Sequence, residues 1–444
     1  MTTIGPTQLE NWLKARLGQP HRSIDALKAF QLEHLNRTLT HVKKNSPFYR
    51  RRLASIPDRP LTDLKAIAEL PMTTAEDLRE HHLNMLCVSH GDVSRVITMQ
   101  TSGTTASPKR LYFSQTDLAL NIDFFHHGLT CMMEPDEHLL IMLPSHTPDS
   151  AGEQLKRAAS RIPASASIHW PVLDLDEILD LIEKTPITCL AGAPAQIFAL
   201  CRHDQYVRRT TPTPLKRILL TTDYVPQAVV DEIRSAWGCA VFEHYGMSEM
   251  GLGGAMACDA HQGYHLREAD LLIEVVDADS GKPLPPGVEG EVVFTTLTRQ
   301  AMPLIRYRTG DRAAWMEGAC PCGSIMRRLG KVRGRIADLS STRTSLSMPN
   351  LDETILPLPG VYSFQAALAQ TESGACMQID LFCENQCAAA LKEAVIAAVG
   401  ELTTVFAEDG PAIRVRTHPP DMLRWDSSGM IKRSIGQKKR SCPS

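Results

Sequence analysis

The chain has 444 residues, 47 Lys plus Arg against 50 Asp plus Glu, and 43% hydrophobic residues with 5% aromatics, for a formal net charge of -3. This is the composition of a soluble globular protein with a large core, and charges of both signs spread this evenly leave no clustered basic face for nucleic acid. No apolar run approaches the roughly 20 residues needed to cross a bilayer, and Met1 to Pro20 lacks the basic start and apolar core of a signal peptide, so a cytoplasmic protein is expected rather than a membrane or secreted one.

Length allows two or three domains, and twelve cysteines in such a chain are too sparse for a disulfide scaffold, so thiols or metal ligands are expected. Residues 1–89 read as a helical lead-in: Leu32, Leu35, Leu39 and Val42 fall on one helix face, Asn45-Ser46-Pro47 stops that helix, and Thr73-Thr74-Ala75-Glu76-Asp77 starts another. Short apolar runs then recur with helix-length spacers: Val96 to Met99, Leu139 to Leu143, Ile187 to Leu190, Ile218 to Leu220 and Ala240 to Phe242. Alternating with amphipathic stretches such as Asp174 to Lys184 and Gln227 to Trp237, they predict α/β layers with a mainly parallel sheet.

From about Leu271 the texture turns β-rich. Leu271 to Asp277 and Glu291 to Thr296 flank a Gly/Pro-rich turn, predicting strands of a subdomain over about 258–338 inside a large domain of 90–338. Residues 339–444 carry their own strand-helix-strand pattern in Gln378 to Phe382, Ala388 to Val399 and Ala412 to Arg416. They predict a small, mobile α+β domain behind a hinge at Gly334 to Asp338.

The segment Thr101-Ser102-Gly103-Thr104-Thr105-Ala106-Ser107-Pro108-Lys109-Arg110 follows the first short strand. Small hydroxyl residues can wrap N–H and O–H donors around phosphate oxygens, with a lysine adding charge, although a polar surface loop has the same texture and no Walker register is present. Glu243-His244-Tyr245-Gly246-Met247-Ser248-Glu249 offers an aromatic face, a permissive glycine and a carboxylate suited to Mg²⁺. Arg306-Tyr307-Arg308-Thr309-Gly310-Asp311 offers a carboxylate able to accept from ribose hydroxyls.

In this order and at these separations, the three segments resemble the signature set of the adenylate-forming superfamily of acyl-CoA synthetases, and more closely its phenylacetate-CoA ligase branch. Asn45 to Arg50, Leu70 to Thr74, Phe294 to Thr298 and Pro303 to Arg308 extend the resemblance over nearly the whole chain. The resemblance implies ATP-dependent activation of an organic acid, aromatic or heteroaromatic acids included, as an acyl-adenylate, then transfer to a thiol. That thiol is CoA, or alternatively a carrier-protein or sulfur-carrier thiol, and a homodimer is implied by analogy. By position, Thr101, Ser102, Gly103, Thr104, Thr105 and Lys109 would cradle the phosphates. Tyr245 and Gly246 would lie near the adenine, Glu249 would hold Mg²⁺, Asp311 would grip the ribose and Arg335 would sit at the hinge. Asp223, in Thr221-Thr222-Asp223, falls where an adenine loop of different sequence is usual.

The resemblance also exposes departures. Where the family carries a lysine near its C-terminus, this chain has Met430 in Ser427-Ser428-Gly429-Met430-Ile431-Lys432-Arg433. Loss of one such charge typically costs about 10² to 10³ in rate. Lys432 is a substitute displaced by about 6 to 7 Å along a strand, and a nucleotide or acyl-AMP-binding homologue with lost adenylation is the competing reading. Finally, Cys258 and His265 with Cys320 and Cys322 offer thiolate and imidazole ligands for a closed tetrahedral Zn²⁺ site, with His261 as a competing ligand. The branch carries a similar structural metal site in some members.

Overall fold

The computed structural model describes residues 8–18, 23–99, 107–207, 212–336, 347–371, 374–404, 412–423 and 433–438. The chain folds into two compact units, 1–136, 145–164 and 242–332 in the first, and 137–144, 165–241 and 333–444 in the second.

The first unit opens with helices α1 (Gln8–Leu17) and α2 (Ile24–Asn45). The Ser23 hydroxyl caps α2 by accepting the Ala26 N–H at 3.1 Å, and Leu27, Leu35, Leu39 and Val42 are its buried apolar face. Ser46 closes α2 through its N–H to the Val42 carbonyl and caps α3 (Pro47–Arg52), with Pro47 in the first turn. The expected helix at Thr73 to Asp77 is α4 (Ala75–His81), opened by a reciprocal capping box between Thr74 and Asp77.

Strand β1 (Arg95–Met99) pairs antiparallel with β2 (Lys109–Phe113), Met99 facing Lys109. The run Val96 to Met99 is therefore not a strand of the parallel sheet; its partner begins with Lys109 and Arg110, the last two residues of the hydroxyl-rich segment. Helices α5 (Gln115–Leu129) and α6 (Ala151–Ala159) follow. The β-rich texture is borne out as a three-stranded antiparallel meander of β10 (Leu271–Val276), β11 (Glu289–Thr296) and β12 (Tyr307–Ala314). Beside it, β7 (Ala240–Tyr245), β8 (Ala255–Ala257), β9 (Tyr264–Leu266) and β13 (Arg328–Leu329) pair antiparallel in succession. One apolar core runs through these layers and includes Leu35, Tyr49, Leu78, Phe113, Ile273, Phe294 and Tyr307.

Arg306 fastens this unit. Its guanidinium donates to both carboxylate oxygens of Glu274 at 3.0 and 3.1 Å and to the carbonyls of Ala68, Leu70 and Gly281 at 2.9 to 3.0 Å. A fork of five donors is fully used, so a buried charge that would be costly unpaired becomes a rivet between lead-in, β10 and the start of β12. The backbone there is left-handed, with φ 46°, a conformation a non-glycine residue adopts only when its surroundings dictate it.

In the second unit, β3 (His138–Met142), β4 (Ser165–Ile168), β5 (Cys189–Gly192) and β6 (Arg217–Leu220) form a parallel array in the order β6-β5-β3-β4. The buried apolar character of β3, β5 and β6 suits strands covered by helices, here α7 (Leu175–Lys184), α8 (Pro194–Val207) and α9 (Gln227–Trp237). The C-terminal part adds α10 (Met348–Ile355), the hairpin β14 (Val361–Thr371) and β15 (Gly374–Cys383), α11 (Ala388–Thr404), β16 (Ala412–His418) and β17 (Gly436–Lys438). Leu190, Phe198 and Val229 share one buried cluster with Leu351, Phe364 and Val395, so these residues pack on the sheet's helices within one unit. No helix among the described residues is long and apolar enough to cross a membrane.

Candidate active site

In the first unit the chain brings together Lys109, Tyr245, Gly246, Glu249 and Asp311. Glu249 sits on a single helical turn, Ser248–Met250, just beyond β7, and is 2% exposed. Its Oε1 accepts the Lys109 ammonium at 2.5 Å and the Tyr307 hydroxyl at 3.1 Å. Shielded from water, such a charge-assisted bond is stronger than a neutral one. Four residues before Glu249, the Tyr245 hydroxyl donates to Asp311 Oδ2 at 3.0 Å, and the Asp311 N–H is held by Thr309 Oγ1 at 2.9 Å.

Tyr245 to Glu249 and Tyr307 to Asp311 therefore run antiparallel to one another, bonded at both ends. Gly246 lies inside this crossing, where a Cβ would stand 1.8 Å from the Leu252 carbonyl oxygen. No side chain fits there without moving the turn that carries Glu249. Tyr307, 1% exposed and next to Arg306, is the functional candidate that sequence spacing did not single out. It lies inside the segment that marked Asp311, but its contact with Glu249 depends on strand placement across 58 positions.

The second constellation is Cys258, His265, Cys320 and Cys322, all buried, with their ligand atoms within 4.8 Å of one another. Cys258 Sγ lies 3.6 Å from Cys320 Sγ, and His265 Nε2 lies 3.3 Å from Cys322 Sγ. These separations match the edges of a tetrahedron with metal–ligand bonds of about 2.0 to 2.3 Å. Burial holds the His265 imidazole down at about 4, with Arg328 adding to the effect, so the ring is in its neutral, ligating form. Burial also pushes the thiols of Cys258 and Cys322 up. His261 donates its backbone N–H to the Cys258 carbonyl and packs its ring on Phe242 at 5.0 Å; the fourth position of the cluster belongs to His265.

Asp223 and Arg335 belong to the second unit. There, Asp223 Oδ2 accepts the backbone N–H of Arg433 at 2.8 Å. Arg335 is exposed. Thr101, Ser102, Gly103, Thr104, Thr105, Met430 and Lys432 lie outside the described residues, as do Ala337 and Asp338 of the expected hinge. Ala193 and Pro194 line a small cavity of about 10 Å³ with Asp223, Asp352 and Arg433. That is room for about one water between these side chains.

Comparison with known proteins supplies the family. Residues 91–298 match the model of the AMP-binding enzymes. The phenylacetate-coenzyme A ligase of Thermus thermophilus is 30% identical over 347 residues, covering 75% of each chain, and that of Escherichia coli is 29% identical, covering 75% of this chain and 77% of its own. The solved structure of 2-hydroxyisobutyryl-CoA ligase in complex with 2-HIB-AMP shares the fold, with a TM-score of 0.76 at 18% identity over 93% of this chain and 90% of that one. With its segments 245–249 and 307–311 bonded across the site and these relatives spanning three quarters of its length, the chain belongs to the AMP-binding enzymes, in their phenylacetate-coenzyme A ligase branch.

Proposed function

We propose that the protein is an AMP-forming acid-thiol ligase that activates an organic carboxylic acid with ATP and transfers the acyl group to CoA. The observation that carries this reading is the buried Lys109–Glu249–Tyr307 cluster bonded in register with Tyr245–Asp311. A substrate carboxylate oxygen attacks the α-phosphorus, forming an acyl–phosphate bond as the bond to pyrophosphate breaks. The CoA thiolate then attacks the acyl carbon, AMP leaves, and the thiol proton passes to solvent.

An attack of one anion on another requires that charge be neutralised and that the reacting atoms lie in line. Lys109 fits this need as a fixed ammonium that exchanges its partner Glu249 for phosphate oxygens, with Thr101 to Thr105 supplying further donors. Glu249 is the residue that would hold Mg²⁺, a hard cation that takes carboxylate oxygens and neutralises phosphate charge. In this reading Asp311 binds the ribose, Tyr245 lies along the adenine, Asp223 stands in the adenine loop, and Arg335 belongs to the hinge of a mobile 339–444 domain. Lys432, two positions on, only partly makes up for the lysine that Met430 replaces. Cys258, His265, Cys320 and Cys322 would hold a structural Zn²⁺, distant from the chemistry in role. Organic acids, aromatic and heteroaromatic ones included, are the substrate class, and the location is cytoplasmic.

The test is acid-dependent exchange of labelled pyrophosphate into ATP across a panel of aryl and alkyl acids, followed by CoA addition. Exchange with at least one acid and CoA thioester formation are expected. ATP binding with no exchange for any acid would instead favour the binding homologue, a reading motivated by Met430.

A further inference from the structure

Helix α9 opens at Gln227 behind Pro226, which provides no side-chain cap. The cap comes from the C-terminal part of the same unit. Glu353, on α10, accepts the Gln227 N–H with its two oxygens at 3.0 and 3.1 Å and the Tyr224 hydroxyl at 2.6 Å. A carboxylate at this end of an eleven-residue helix meets both an unpaired N–H and the positive end of the helix dipole. One residue before Tyr224, Asp223 receives the backbone N–H of Arg433. The Arg433 guanidinium donates to Asp352 Oδ1 at 2.5 Å and to the Phe364 carbonyl at 2.9 Å, and lies 4.4 Å above the Phe364 ring.

The stretch from Asp223 to Gln227 is thus gripped at both ends by residues more than 120 positions away. Just before it, Thr222 has φ 78°, in the left-handed region that a β-branched residue avoids. Such a conformation persists only where the surroundings over-determine it.

We propose that Glu353 and Arg433 are positioning residues of the adenylation step: docked on the 223–227 stretch, they set the loop that receives the nucleotide. This rests on the functional reading above, in which Asp223 stands in the adenine loop. It adds a coupling: the C-terminal segment and the nucleotide bind the same short stretch, so each favours the other, and release of the segment loosens AMP.

The test uses the full chain with Glu353→Ala, Glu353→Gln, Arg433→Ala and Arg433→Lys. Pyrophosphate exchange gives KM for ATP and for the acid; conversion of supplied acyl-adenylate by CoA gives the second step; thermal melting reports the fold. Loss of a coupling of ordinary size raises KM for ATP about tenfold in the two alanine variants. KM for the acid and the rate of CoA transfer at saturating supplied adenylate are expected to hold within about twofold, and Arg433→Lys, which keeps the charge facing Asp352 but not the stacked fork, to recover part of the loss. An unchanged KM for ATP in variants of an active wild type overturns the proposal alone, as does a parallel fall of every parameter with melting temperature. No exchange in the wild type overturns the functional reading, and this role with it.

Discussion

Glu249 receives an ammonium and a phenol at one oxygen, and the phenol is the less replaceable of the two in placement because Tyr307 is set by Arg306 beside it. Tyr307→Phe keeps the ring and removes one donor to a charged group, a loss of about 1.5 to 3 kcal/mol at that bond. The expected result is pyrophosphate exchange slowed by about tenfold at saturating ATP, with the magnesium requirement altered and the far-UV spectrum kept; unchanged exchange would remove Tyr307 from the site. Asp352 supplies a pH prediction. Burial pushes its carboxyl up to about 7, against the pull of Arg433 and with the charges of Asp223 and Glu353 adding to the rise. The folded chain therefore binds this proton more tightly than the unfolded one. The stabilising contribution is full below the ordinary carboxylate range and is lost as pH rises through about 7. Melting followed from pH 8.5 to 5 is expected to give wild type a gain on acidification that Asp352→Asn lacks, and parallel curves would refute it. Neither residue was legible from the sequence: Tyr307 is named in its segment, but its partner is set by where β12 lies, and Asp352 reads as one more acid on a helix.

Helices were the readable elements. Ser23, Ser46 and the Thr74–Asp77 box stand where caps belong, because capping is chemistry between residues two or three apart. The buried apolar strands β3, β5 and β6 were equally legible. Strand β1 was misread because an apolar run of four residues states its length and not its neighbour. The metal cluster is an intermediate case: the donors were legible as two separated pairs, while their convergence requires the β9–β13 pairing, in which His265 faces Arg328. If Zn²⁺ links β8, β9 and the loop before β13, wild type prepared without chelator carries about one equivalent, and Cys258→Ser carries less than about a third. The variant is also expected to melt about 5 °C lower or more, measured by calorimetry beside metal analysis. Wild type with less than about a third of an equivalent would sink the assignment.

At the scale of the molecule, the order of motifs along the sequence carried the family, while the grouping of the chain into units did not follow from it. The sequence divides naturally near 338, yet 333–444 shares a core with residues 137–144 and 165–241. Such sharing arises from apolar faces on α8 and α9 that the sequence displays without saying what covers them. In the proposed reading Met430 bears on the adenylation step, because the lysine expected at its position would act on the acid. Met430→Lys is expected to raise acid-dependent pyrophosphate exchange by about 10² while leaving the conversion of supplied acyl-adenylate unchanged. An unchanged exchange rate would assign the missing charge to another group, Lys432 first.

The antiparallel bonding of Tyr245–Glu249 to Tyr307–Asp311 acts as a ruler with four steps on each side. Inserting or deleting one residue within either stretch lets one bond form only at the expense of the other, since the spacing of the two ends no longer matches. The two stretches are therefore locked in length even where their intervening side chains are free to change. A library that varies Met247 and Ser248 at constant length would keep many active members, and one that varies loop length there would keep almost none.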